Sequence, residues 1–436
     1  MDDDRLLNDL AAEARVRAEY RAATPRSAEA WRAAMRVMPG GDTRASTFFA
    51  PHPLAVTGGR GSKITDLDGR SLTDFLNNYS ALILGHAAPE VIAAVSAMLP
   101  AGTAFSAAHR SATTLARELA DRVESIERVR FCNSGTEAAM WAVRTARAFT
   151  RRELVVKAYG GYHGSYDQLE QWREPERRGA PVLVVPYDDI AALRHTVAGH
   201  EEQIAAVILE PVLGSAGIFA ASAEYLLAAE AICRRIGALL VLDEVITFRL
   251  GHGGAQGELG LSPDLTVLGK LIGGGFPVGA FGGREEVMDV FGPRPGALTH
   301  AGTFNGNPIT MTAGKATLDR LDGSAFARLD ELGATLAAGI EQVIARRALD
   351  LSVTRSGSLL QIHHGADPRP PRPGDARAQT TAAALHLALC LEGIHVAPRG
   401  FLNCSLAHDA GDIAAATEAF ERAADRLAPI LSPAGV

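Results

Sequence analysis

The sequence predicts an α/β protein, with a mostly parallel, doubly wound sheet in a large domain and a smaller α+β domain. Three observations predict it. Short apolar runs at 129–132, 154–156, 181–186, 204–209, 238–242 and 265–268 suit buried strands, and helix-period stretches alternate with them. Such alternation gives right-handed crossovers and parallel pairing. A chain of 436 residues exceeds the size at which one hydrophobic core stops growing, so two domains are expected. After residue 315 the buried βα units give way to amphipathic helices and half-exposed strands. The expected division is an N-terminal arm and part of the small domain at 1–65, the large domain at 66–315 and the C-terminal small domain at 316–436.

Composition narrows the classes of function. The chain is 47% hydrophobic and 21% charged, with a net charge of -7, which argues against a general nucleic-acid binder. Cys132, Cys233, Cys390 and Cys404 lie far apart with no Cys-x-x-Cys spacing, against a zinc ribbon and a disulfide framework alike, and a reducing cytoplasm fits best. The acidic start Met1-Asp2-Asp3-Asp4 is unlike a signal peptide, and no apolar run approaches membrane-spanning length. No metal site is expected: the His363-His364 pair lacks metal-type partners nearby and reads as solvent-facing.

In chain order, residues 5–36 read as two helices divided at Pro25, forming an arm and not a core. Arg44 follows in a loop, either a salt-bridge partner or a carboxylate anchor, and the former ranks higher from its context alone. From Pro53 to Phe75, β-type runs are separated by Gly58-Gly59 and by Asp68-Gly69, the latter a hairpin signal. The 129–132 strand runs into Asn133-Ser134-Gly135-Thr136-Glu137 and a helix with Ala139, Val143, Ala146 and Phe149 on one face. Ser134 or Thr136 caps that helix in the plain reading; the helix start is also an anion site, where Gly135 lets a phosphate come close to the backbone. The 154–156 strand leads to Gly160-Gly161-Tyr162-His163-Gly164, two flat rings on a turn, suited either to simple packing or to a floor under a planar ligand. The 204–209 run ends in Glu210-Pro211, Ser222 caps a helix to Arg235, and Gly237 stops it. Near the end, 368–374 is a proline-rich interruption read as a flexible surface loop.

The run at 238–242 ends in Asp243-Glu244-Val245, and the run at 265–268 delivers Gly269-Lys270. Ligands of open parallel sheets bind beyond the carboxyl ends of the strands, so Asp243 and Lys270 reach one ligand from two sides. A lysine that forms an imine and an acid that keeps a ring nitrogen protonated are the two groups pyridoxal 5'-phosphate needs. Taken singly, Lys270 reads as a surface lysine and Asp243 as a turn cap. Taken together, Ser134, Tyr162, Glu210, Asp243 and Lys270 stand at successive strand ends, and one cofactor site explains them better than separate accidents. Neither a phosphate-loop NTPase nor a dinucleotide enzyme is supported, because the required glycine spacings are absent.

With these residues laid out, the chain resembles the class III aminotransferases of fold-type I pyridoxal-phosphate enzymes, in the branch containing glutamate-1-semialdehyde aminomutase. The resemblance is carried by Asn-Ser-Gly-Thr-Glu-Ala at 133–138, Gly-Gly-Tyr-His-Gly at 160–164, Glu-Pro at 210, Leu-Asp-Glu-Val at 242–245, Leu-Gly-Lys-Leu-Ile-Gly-Gly-Gly at 268–275 and Gly-Thr-Phe-Asn-Gly-Asn-Pro at 302–308. It implies that Lys270 forms the imine and moves the proton between Cα and the cofactor's C4', and that Asp243 holds the pyridinium proton. It further implies that Tyr162 stacks on the ring, with His163 and Glu210 in the cofactor site, and that Val245 packs on the other face. Gly135 and Thr136 would hold the phosphate by their backbone, and Thr303 would reach the phosphate of the neighbouring subunit in a homodimer with active sites at its interface.

The branch pattern is broken at two places. An asparagine of the aminomutase pattern is Ser215 here, and a glutamate before the late Gly-Phe is Arg399. Arg399, and the Asp-Thr-Arg-Ala-Ser around Arg44, resemble β-amino acid aminotransferases such as the β-phenylalanine enzymes. Two arginines suit carboxylates, which a guanidinium grips bidentately. The expectation is a ping-pong transfer between a β-amino acid and a keto acid such as 2-oxoglutarate. The competing expectations are the aminomutase reaction and a non-catalytic pyridoxal-phosphate sensor.

Overall fold

The Leu239–Asp243 strand is buried along its whole length and lies within a seven-stranded sheet. In this computed structural model, which describes residues 2–166, 168–170, 181–368 and 376–432, the sheet runs 128–132, 279–283, 265–269, 239–243, 204–209, 154–158, 182–185. The four pairings from 265–269 to 182–185 are parallel, and only Gly279–Gly283 runs against its neighbours. Three of its five residues are glycine because space demands it: a Cβ on Gly279 or Gly283 would fall 2.0 or 2.1 Å from a backbone oxygen.

Alternation along each strand feeds two cores. Val155, Ala206, Ile208, Leu239, Val241 and Val267 pack beneath the Gly135–Thr150 helix through Ala138, Ala142, Val143 and Ala146. Their neighbours Val156, Val207, Leu209, Leu240 and Leu242 face the Ala223–Ile236 helix and the Ile190–Val197 helix on the other side. A sheet covered on both faces needs continuous apolar strands, which is why the runs read as unbroken in the sequence. Ser222 caps the Ala223–Ile236 helix by accepting from Tyr225 N, and Gly237 ends it at φ 68°. Phe149 departs from expectation, since it lies exposed beyond the buried face of its helix. The 182–185 strand is also less buried than expected, because it forms the sheet edge.

The chain divides into two compact units, 81–83 with 89–327, which holds this sheet, and 1–80 with 84–88 and 328–436. The boundaries therefore differ from those expected at 65/66 and 315/316. Residues 71–74 join the second set because they pair in parallel with Ile394–His395, a contact with no local signature. The Pro308–Leu318 helix stays with the large sheet, close enough to the Lys270–Gly273 turn that a Cβ on Gly314 would lie 2.0 Å from Ile272 O.

In the smaller unit a four-stranded sheet orders Val56–Arg60, Lys63–Asp66, Ser71–Asp74 and Ile394–His395, and a three-stranded sheet orders Leu351–Ser356, Leu359–His364 and Phe401–Asn403. The Asp68-Gly69 turn joins the second and third strands as expected. Gly58-Gly59 does not separate strands; both lie within Val56–Arg60, where a Cβ on Gly59 would meet the His86 ring at 2.7 Å. The N-terminal helices Asp2–Ala23 and Pro25–Ala34 divide at Pro25, yet the first is more than an arm. Ala12, Val16 and Tyr20 are buried with Leu336, Ala384, Leu387 and Leu427. The start of the second helix is satisfied from a distance, Asp68 Oδ1 accepting Arg26 N at 2.7 Å and Oδ2 accepting Ser27 N at 3.1 Å.

All four cysteines are free and buried. Among the described residues no helix is long and apolar enough to cross a membrane. Of the proline-rich loop expected at 368–374, residues 369–374 lie outside the described residues.

Candidate active site

Five strands of the large sheet, 128–132, 154–158, 204–209, 239–243 and 265–269, lead into the residues of the candidate site. After Arg128–Cys132, the Ser134 Oγ accepts from Glu137 N at 3.1 Å, so this side chain is the helix cap. Glu137 Oε2 accepts from Asn133 N at 2.5 Å. What the helix start offers an anion is then the Gly135 and Thr136 N–H groups and the positive end of the dipole. A Cβ on Gly135 would stand 3.2 Å from the Val245 side chain, and one on Gly269 3.4 Å from it. The missing side chains of these two glycines let Val245 pack against the backbone at the helix start and at the end of the 265–269 strand.

The Leu154–Ala158 strand leads into the turn bearing Tyr162 and His163. The two rings part company. Tyr162 remains 45% exposed, whereas His163 is buried with Nδ1 2.8 Å from Asp243 Oδ2. Burial pushes the His163 pKa down against the pull of Asp243, so a neutral ring donates its Nδ1–H to the carboxylate. Gly164 adopts φ 94° and lies so close to Thr136 that a Cβ would fall 2.4 Å from its Oγ1. Ser165 N donates to that same Oγ1 at 3.3 Å, docking the turn on the helix start.

Glu210 follows the Ile204–Leu209 strand and is buried, its Oε1 accepting Tyr162 N at 2.8 Å and its Oε2 accepting Gly214 N at 3.0 Å. Burial first, and then the charge of Asp243, raise its pKa from 4.5 to about 8, while Lys270 pulls the other way. Asp243 ends the next strand at 4% exposure, and its second oxygen accepts Val245 N at 3.0 Å. Two donors thus hold the carboxylate as an acceptor with one defined orientation.

Lys270 leaves the adjacent strand, which pairs in parallel with Asp243 opposite Val267. Its backbone sits at φ 52°, in the left-handed region where a side chain costs about 1 kcal/mol, strain of a kind that collects at functional sites. Thr303 is exposed on a turn, and Asn305, two residues on, ties that turn to the phosphate side through Asn133 Nδ2 at 2.9 Å.

Arg44 and Arg399 belong to the other unit, where one turn handles both. Arg44 Nη1 donates to Asn78 Oδ1 at 2.9 Å, and Arg399 lies over the rings of Tyr79 and Phe401 at 5.4 and 5.0 Å. Arg44 N also donates to Asp42 Oδ1 at 2.9 Å. Residues 77–80 are all left-handed, with φ from 47° to 69°, and Asn403 holds them through Asn77 Nδ2 donating to its O at 2.9 Å. The sequence reading missed this turn, though adjacent Asn77 and Asn78 were a signal, asparagine being the side chain most tolerant of that conformation. It also missed Asn305 and a buried lysine, Lys157, discussed below.

A phosphate cradle at a helix start, an oriented carboxylate and a lysine on neighbouring strand ends, with an exposed aromatic ring nearby, fit pyridoxal phosphate by the chemistry of their donors. Fold and site together define a fold-type I pyridoxal-phosphate enzyme. The chain belongs to the class III aminotransferases, whose family description, Aminotransferase class-III, matches residues 48–369. It is a pyridoxal-phosphate-dependent transaminase. It is 39% identical over 414 residues to a glutamate-1-semialdehyde 2,1-aminomutase of Methanothermobacter thermautotrophicus, covering 91% of this chain and 98% of the relative. It is 38% identical over 400 residues to a β-phenylalanine transaminase of Variovorax paradoxus, covering 90% and 91%. The solved β-phenylalanine aminotransferase from Variovorax paradoxus matches with a TM-score of 0.92 at 36% identity, covering 98% of this chain and all of that one.

Proposed function

We propose that the protein transfers an amino group between a β-amino acid and a keto acid such as 2-oxoglutarate, in two half-reactions at one site. The observation that carries this reading is the pairing of Arg44 and Arg399 through the adjacent residues Asn78 and Tyr79. Overall identity does not separate the aminomutase from the β-amino acid relatives, being 39% against 38%. What supports the β-amino acid reading is Arg399, since a cation there attracts a carboxylate that a glutamate would repel.

The bound cofactor supplies an electron sink for the pair left when the amine-bearing carbon loses its proton. In this reading Asp243 holds the proton on the ring nitrogen, and His163 keeps Asp243 oriented. Lys270 Nζ would carry the proton to and from the amine-bearing carbon. Tyr162 and Val245 would cover the two faces of the ring, and the Gly135 and Thr136 N–H groups would hold the phosphate. Arg44 and Arg399 divide the carboxylates of the β-amino acid and of the keto acid between them.

The active form is a homodimer in which Thr303 completes the phosphate site of a second copy. Phe304 is 59% exposed and Phe105 45%, on segments joined by Asn307 Nδ2 donating to Thr103 O at 2.8 Å, an apolar surface suited to a partner. Free buried cysteines are consistent with a reducing cytoplasm.

Replacing Arg44 or Arg399 by alanine raises KM for the acid substrates about tenfold or more, the worth of one charged hydrogen bond. The absorbance band of the lysine-bound cofactor stays unchanged in both variants. Normal KM values in both remove the carboxylate assignment. The similarity to aminomutases favours a second reading, isomerisation within one molecule, which turnover in the absence of any keto acid would reveal.

A further inference from the structure

The Leu154–Ala158 strand contains a lysine where its neighbours are apolar. Lys157 is fully buried between the 182–185 and 204–209 strands. Among the described residues it forms no ion pair within reach; both of its acceptors are main-chain carbonyls, Gly161 O at 2.8 Å and Leu169 O at 2.5 Å. Burial pushes its pKa down from 10.5 to about 8, with Glu210 offsetting part of the fall. A methionine would fill the same space without the cost of taking an ammonium out of water, so the charge is explained only by what it holds.

What it holds is the chain on either side of the cofactor turn. The chain leaves at Gly161 and returns at Leu169. Between them, Tyr162 N bonds Glu210, the His163 ring bonds Asp243, and Ser165 N bonds Thr136. One short segment thus touches three of the other strand ends, and one ammonium ties down both of its flanks.

We propose that Lys157 is a positioning residue for transamination, clamping Gly161 and Leu169 so that the Tyr162 ring and the His163–Asp243 pair stand at fixed heights against the cofactor. The clamp acts through its neighbours, since the ammonium lies beneath the turn and its hydrogen bonds go to backbone. It concerns the cofactor alone and is independent of which amino acid the enzyme takes.

The test uses the holoenzyme and the variants Lys157→Met and Lys157→Gln, the second retaining a neutral N–H donor. Visible circular dichroism of the bound cofactor reads the orientation of its ring, and spectroscopic release reads how firmly it is held. Lys157→Met is expected to lower the visible dichroism at least about twofold and to speed cofactor release about tenfold, with far-ultraviolet dichroism unchanged. Lys157→Gln is expected to fall between Met and wild type, and it decides the matter if the Met variant does not fold. A folded variant of either kind with wild-type dichroism and wild-type release overturns the proposal.

Discussion

Lys270→Ala folds, still takes up pyridoxal phosphate without a covalent bond, and turns over at least about 10⁴-fold more slowly than wild type. Folding survives because alanine meets the same left-handed backbone, φ 52°, that lysine does, so the substitution adds no new backbone strain. Cofactor uptake survives because the helix start at Gly135 and Thr136, the Asp243 carboxylate and the Tyr162 ring are untouched. What disappears is the amine at the strand end next to Asp243, and with it the proposed covalent attachment and proton carrier. Loss of the lysine-bound absorbance band, with a normal melting curve, checks the first part; single-turnover kinetics check the second. A variant that keeps even a hundredth of wild-type turnover assigns the proton transfer elsewhere.

Asp243→Asn is the second large effect, expected to lower kcat by about 10² to 10³. An amide is close in size to the carboxylate and its oxygen can still accept from His163 Nδ1, which lies 2.8 Å from Asp243 Oδ2 in the native protein. The fold and the turn therefore persist, while the negative charge proposed to keep the ring nitrogen protonated is gone. A separate consequence reads out in the apoprotein. Glu210 has a folded pKa of about 8, raised from 4.5 by burial and then by Asp243. A raised acid keeps its proton in the fold and loses it on unfolding, so its contribution to stability falls as pH rises through that window. Without the Asp243 charge the window narrows, and the melting temperature of apo Asp243→Asn depends less steeply on pH between those limits than that of the wild-type apoprotein. Equal slopes in the two proteins would show that Asp243 does not act on Glu210.

Much of this site was legible because of how a doubly wound sheet is built. Its central strands are largely apolar on both faces, so the first polar residue after them stands out, and Glu210, Asp243 and Lys270 were each found that way. The phosphate turn was legible because a serine cap and a glycine mark a helix start. Other features had weaker local signatures. Lys157 sits inside an apolar run, where one polar residue reads as noise until its two carbonyl partners are seen. The Ser71–Asp74 pairing with Ile394–His395 joins residues more than three hundred positions apart, and no periodicity announces it. The 5–36 stretch read as an arm because the helices that bury Val16 and Tyr20 come from the far end of the chain. His163 was recognised as part of the turn, but only the geometry turned it away from Tyr162 and onto Asp243.

The measurement closest to the central claim is an absorbance scan of the purified holoenzyme, with a β-amino acid added alone and then 2-oxoglutarate. Transamination of a β-amino acid predicts that the band of the lysine-bound cofactor is lost with the first addition and restored by the second. A band unmoved by β-amino acids, in a protein that isomerises an amino aldehyde with no keto acid present, would contradict it.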